Sequence, residues 1–131
     1  MYRYVRKYPF SVLLTVVIWV LCLIPIVKNP IPSMQLTDKW AHCLMYFVFT
    51  LCIWVEYLWS HHQYNYTKLL CFGCIAPVVM GGLVEIAQAT CTGGHRSGEW
   101  LDFVADTIGV LIACCISCLL ATGLSKYRKA R

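Results

Sequence analysis

The sequence predicts an all-α integral membrane protein, a bundle of four transmembrane helices with both termini on the cytoplasmic side. Three observations carry that expectation. The chain of 131 residues is 60% hydrophobic and 13% charged, with a mean hydropathy of +0.65, whereas an ordinary soluble domain carries about 25% charged residues. Four apolar stretches, 10–27, 40–59, 69–90 and 101–123, each approach the ~20 residues that take a helix across ~30 Å of hydrocarbon. Basic residues are distributed unequally around them: Arg3, Arg6, Lys7, Lys68, Lys126, Arg128, Lys129 and Arg131 on one side, and Lys28, Lys39 and Arg96 on the other. Lysine and arginine accumulate in cytoplasmic segments, which sets the orientation.

The first stretch follows a basic segment that includes Arg3, Arg6 and Lys7, as in a secretory leader. Its apolar run is long for a leader and closes in Val27, Lys28, Asn29 and Pro30 without a small-x-small cleavage site, so it is expected to remain as a helix. The +5 net charge is explained by this topology and by anionic lipid, and no nucleic-acid partner is expected.

The second stretch runs inward from the outside. Asp38, His42, Tyr46 and Thr50 recur at every fourth residue, so they descend along one helical face. The third runs outward and brings Glu85 and Gln88 to its outer third. The fourth runs inward again, with Asp102 and Asp106 one turn apart and Asp106 about 6 Å deeper. An ionisable side chain at the bilayer centre costs about 2.5–3.5 kcal/mol on insertion scales, so such residues require a reason. Here three helices converge on one outward-facing polar site.

The loop 92–99 adds glycines, His95, Arg96 and Glu99 above that site, as a lid or clamp. Helix N-termini at the second and fourth spans, with Lys39, His95 and Arg96, favour an anion such as phosphate or carboxylate. Asp38, Glu85, Asp102 and Asp106 oppose them, and cannot all ionise cheaply in a confined space without Arg96 or Lys39, a bound cation or a shared proton.

Ala105, Gly109, Ala113, Ser117 and Ala121 form a small-residue stripe on the fourth span, and Gly73, Gly81 and Gly82 serve the third similarly, so neighbouring helices can approach closely. Eight of the nine cysteines fall within spans, where they act as small apolar residues. Cys71-x-x-Cys74 and the group Cys114, Cys115 and Cys118 are read as packing.

The ordered pattern Asp38-Lys39-x-x-His42-x-x-x-Tyr46, Glu85-x-x-Gln88, Arg96-Ser97-x-x-x-x-Asp102-x-x-x-Asp106-x-x-Gly109 resembles the VanZ-like membrane protein family across about 37–109. The resemblance implies a single bacterial inner-membrane domain over 1–131 with its polar site facing the outside or periplasm. It also implies an association with resistance to teicoplanin, a glycopeptide that engages lipid-linked cell-wall precursor. The family's last acidic position is often Asn, where this chain has Asp106.

Taken together, these readings favour a binding protein. Its ligand is a membrane lipid, a lipid-linked cell-wall precursor or the glycopeptide, contacted by Asp38, Lys39, His42, Tyr46, Glu85, Gln88, Arg96, Asp102 and Asp106. The alternative is a membrane-embedded hydrolase or transferase acting on a lipid headgroup, with Glu85, His42 and Asp102 as catalytic candidates. Ser97 is the only nearby nucleophile, and the pairing of a nucleophile with a base is missing. No cofactor is expected and no metal is assigned; a divalent-ion version on Asp38, His42, Glu85 and Asp102 ranks below the metal-free readings. A structural subunit of an envelope complex is the third reading. The blander roles are helix capping for Asp38 and Glu99, a hydrogen-bonded interior histidine for His42, ion pairs to Arg96 for Glu85 and Asp102, an interfacial position for Glu56, and solvation for His61 and His62.

Overall fold

The computed structural model describes residues 2–24, 32–61, 65–92 and 99–129, and among them every regular element is helical. In chain order these are α1 (Tyr2–Lys7), α2 (Pro9–Leu23), α3 (Pro32–Ser60), α4 (Tyr66–Leu70), a π-helical turn Cys71–Ile75, α5 (Ala76–Cys91) and α6 (Trp100–Lys129). Three stretches, Leu36–Ser60, Tyr66–Cys91 and Trp100–Tyr127, of 25, 26 and 28 residues, are long and apolar enough to cross a membrane. Large apolar side chains such as Leu44, Phe72, Ile86 and Leu119 stand exposed on their outer faces, as a hydrocarbon solvent demands.

The expected first span, 10–27, corresponds to α2, a shorter apolar helix of 15 residues; the stretch beyond Ile24 lies outside the described residues. Pro9 opens α2, where its missing N–H costs nothing. The free amides of that first turn are capped from another helix: Phe10 and Ser11 donate backbone N–H bonds of 2.8 and 3.0 Å to the two oxygens of Glu56, and the Ser11 hydroxyl donates to the same carboxylate. Glu56 is 8% exposed. It is therefore a buried helix cap, a role beyond the interfacial position read from its aromatic neighbours.

Helix α3 starts earlier than expected, at Pro32. Asp38 thus sits inside the helix, about 9 Å past its start, and neither caps it nor lies at its positive end. The third span is interrupted for a local reason. Pro77 has no N–H to give to the Gly73 carbonyl four residues earlier, and the chain relaxes into the π-helical turn just before it. The Gly73 carbonyl accepts instead from Trp54 Nε1 at 3.2 Å and from the Cys114 thiol at 3.1 Å. Two other helices thus satisfy a buried acceptor that its own helix leaves open.

Cross-helix pairs give the directions. Lys39 meets Asp102 and His42 meets Asp106, so α3 and α6 run parallel. Glu85 meets Glu99, which sets α5 antiparallel to α6, and Ser11 meets Glu56, which sets α2 antiparallel to α3. Gln88 Nε2 donates to the Cys22 carbonyl at 2.9 Å, pinning the last turn of α2 to α5. The small-residue stripe faces inward as expected, with Gly109, Ala113, Ser117 and Ala121 all buried. Gly109 marks the closest approach: a Cβ there would collide with the Cys43 carbonyl of α3. Only hydrogen fits between the two backbones.

Candidate functional site

The polar residues of the three long helices gather at the end of the bundle where α5 finishes and α6 begins. Because α3 and α6 touch at Cys43 and Gly109, His42, the residue before Cys43, and Asp106, one turn before Gly109, are brought together. His42 Nδ1 lies 3.0 Å from Asp106 Oδ1, with His42 at 3% and Asp106 at 0% exposure. Gly81 of α5 leaves room for the second Asp106 oxygen: the point where a Cβ on Gly81 would stand is 3.1 Å from Asp106 Oδ2 and 3.5 Å from Tyr46 Cε1.

Nearer the end of the bundle, Lys39 bridges two carboxylates, Glu99 Oε2 at 3.0 Å and Asp102 Oδ1 at 3.2 Å. This joins α3 to the first turn of α6. Glu99 precedes α6, and its carbonyl accepts the Asp102 N–H at 2.8 Å. Its own N–H donates to Glu85 Oε2 at 2.8 Å, so Glu85 positions the entry to α6 with one oxygen only. Glu99 belongs to the site through both its backbone and its side chain. Its position three residues before Asp102, facing Lys39, was the available signal, but in sequence it reads as a cap.

Four buried polar atoms in and below this region have no hydrogen-bond partner among the described residues: Glu85 Oε1, Asp106 Oδ2, the Tyr46 hydroxyl and Thr50 Oγ1. Leaving such a group unsatisfied costs about 1–3 kcal/mol, and more when it is charged. Of the expected face of α3, His42, Tyr46 and Thr50 are buried along one side of the helix, whereas Asp38 is not. The Tyr46 ring packs edge-on against Phe49, with centroids 6.3 Å apart.

Two groupings of ligating atoms emerge. His42, Glu85 and Asp106 each place one such atom within 4.8 Å of the others, and so do Asp38, His42 and Asp102. The structure therefore brings Asp38, Lys39, His42, Tyr46, Glu85, Asp102 and Asp106 to one end of the bundle. Gln88 reaches the same level but commits its amide nitrogen to Cys22. Arg96, and with it His95 and Ser97, lies outside the described residues, as do the ion pairs to Arg96 considered for Glu85 and Asp102. At the opposite end, His61 is not simply solvated: it stacks on Tyr57 at 4.3 Å and lies 3.0 Å from Lys7 Nζ. His62 lies outside the described residues.

No protein-family model, curated protein or solved structure matches the chain. The VanZ-like resemblance accordingly rests on the ordered motif residues themselves. Among the described residues the site contains five carboxylates (Asp38, Glu85, Glu99, Asp102 and Asp106) against Lys39 and His42, and Lys39 is already shared between two of them. Its surplus is in hydrogen-bond acceptors, which suits a ligand that brings donors or positive charge.

Proposed function

We propose that this chain is a VanZ-like, four-span protein of the bacterial inner membrane, with both termini cytoplasmic and its polar site facing outward. There it binds the headgroup of an envelope lipid or lipid-linked cell-wall precursor. The observation that carries the proposal is the pair of buried carboxylate oxygens, Glu85 Oε1 and Asp106 Oδ2, that meet no hydrogen-bond donor among the described residues. A fold that needed these carboxylates only as glue would satisfy both oxygens of each, since a half-satisfied buried network is worse than an apolar one. Ammonium, hydroxyl and amide groups of a headgroup supply the missing donors. The alternating directions of α2, α3, α5 and α6, and the basic residues Lys7, Lys68 and Lys126 at the end away from the site, support this topology.

A second reading, acid–base catalysis on such a headgroup, draws on the His42–Asp106 pair, in which a carboxylate fixes the orientation of an imidazole. It requires a transferable proton at that pair, so conversion of a bound lipid to product separates it from binding alone.

The test is native mass spectrometry of the purified chain against phosphatidylethanolamine, phosphatidylcholine and an undecaprenyl-pyrophosphate-linked precursor. Retention of donor-bearing headgroups over the choline lipid, lost in Asp106→Asn, supports the proposal. Equal retention of all three by wild type and variant would refute it.

A further inference from the structure

Two other buried polar groupings are already satisfied within the protein. The Glu56 carboxylate is consumed by capping α2, and the Trp54–Gly73–Cys114 contact satisfies the π-helical turn. The triad at the crossing of α3, α5 and α6 is different, because its atoms are both close together and incompletely bonded.

We infer that His42, Glu85 and Asp106 hold a divalent first-row metal ion of the zinc or manganese type. The inference rests on the reading of this cluster as a ligand site, and it replaces direct donation by the headgroup at Glu85 and Asp106 with an ion that the headgroup meets. One imidazole nitrogen and two carboxylate oxygens, each from a different helix, lie within 4.8 Å of one another. The His42 Nδ1 to Asp106 Oδ1 separation of 3.0 Å is a hydrogen-bond distance, and it is also close to the edge between neighbouring ligands of a six-coordinate ion; a tetrahedral ion requires the two atoms to move slightly apart. Mixed imidazole and carboxylate donors suit zinc, manganese and iron rather than a soft thiophilic ion.

A second observation points the same way. Glu85 and Asp106, at 8% and 0% exposure, each retain an oxygen with no partner among the described residues. The lower half of the cluster thus carries two carboxylate oxygens that no donor meets among the described residues. A dication matches two carboxylates in formal charge. The competing triad of Asp38, His42 and Asp102 is the weaker host, because the Lys39 ammonium already lies 3.2 Å from Asp102 Oδ1. Three protein ligands leave coordination positions open, through which the ion can meet a phosphate or hydroxyl of the headgroup. This reconciles an acidic cluster with an anionic lipid.

Nine cysteines would scavenge zinc, so the probes are Mn²⁺, followed by electron paramagnetic resonance, and Co²⁺, followed by absorption. The full chain is purified in detergent and stripped with chelator. The expected result is saturable binding of one ion per chain, without thiolate-to-cobalt charge transfer. Affinity falls by at least about tenfold in each of His42→Gln, Glu85→Gln and Asp106→Asn, and is unchanged when Cys74, Cys114 and Cys118 are replaced by Ala. Absence of saturable binding by wild type, binding that survives in the variants that fold, or a thiolate charge-transfer band would overturn the inference. Lipid retention by the metal-free protein is scored in the same preparations. No metal with lipid still retained defeats only the metal; metal bound with no lipid retained defeats only the headgroup reading.

Discussion

His42 Nδ1 stands 3.0 Å from Asp106 Oδ1 within the contact between α3 and α6, and both residues are buried. The pair lies within one turn of the point where Gly109 lets the two backbones touch. Polar chemistry and close packing are therefore parts of one joint: the glycine sets the distance that the histidine and aspartate use.

Coupling across this joint is measurable by a double-mutant cycle. His42→Gln and Asp106→Asn, alone and combined, are expected to be non-additive by about 1–3 kcal/mol in reversible unfolding by denaturing detergent. Additive losses would mean that the two side chains do not act together.

The packing half of the joint gives a second expectation. Gly109→Ala forces a methyl group into the Cys43 carbonyl and should destabilise the protein by about 1–3 kcal/mol, the usual range for overpacking. Gly123→Ala, where a Cβ meets nothing within 4 Å, serves as the control and should be neutral or slightly stabilising, since Ala favours helix over Gly. Thermal unfolding of the two variants side by side checks both.

At the other end of the bundle, Glu56→Ala removes all three bonds to the start of α2. Loss of a cap costs about 0.5–2 kcal/mol, more when a buried donor is stranded. Because α2 carries the buried Cys22, the change should speed alkylation of that thiol in a variant lacking the other cysteines. Ser11→Ala, which leaves the two backbone bonds in place, should have the smaller effect.

The proposal that the chain is VanZ-like carries a cellular test of its own. A teicoplanin-sensitive host expressing the chain should show raised tolerance to teicoplanin, with vancomycin as comparator. Glu85→Gln at equal membrane abundance should lose the protection. Equal protection by both forms would remove the Glu85 carboxylate from the mechanism.

Much of the site was legible because helical periodicity is a strong signal in an apolar chain. Asp38, His42, Tyr46 and Thr50 stand four residues apart, and polar residues at that spacing have no reason to share a lipid-facing surface. Asp102 and Asp106, and the stripe through Gly109, follow the same rule. Long-range contacts were not legible in this way. Glu56 caps a helix that begins 47 residues earlier at Pro9, and nothing local to Glu56 announces it. Glu99 reads locally as the residue before a helix, yet its side chain reaches Lys39 60 residues away and its amide reaches Glu85. Helix α3 begins before the expected span 40–59 because 32–39 is less apolar than the span it continues, so hydropathy marks the hydrocarbon boundary while the helix runs past it. The π-helical turn is explained by Pro77 in retrospect, but proline within a membrane helix is compatible with several local repairs.

The central claim is that the buried carboxylates serve a ligand at some cost to the fold. It is tested most directly by measuring stability and lipid retention together in Glu85→Gln. The amide keeps an oxygen for the Glu99 N–H and replaces the unpartnered Glu85 Oε1 with a neutral donor group. The variant is expected to lie within about 1 kcal/mol of wild type, or to be more stable, and no longer to retain the headgroup. A variant that unfolds markedly earlier yet still binds lipid as wild type does would contradict it, and would make the cluster structural.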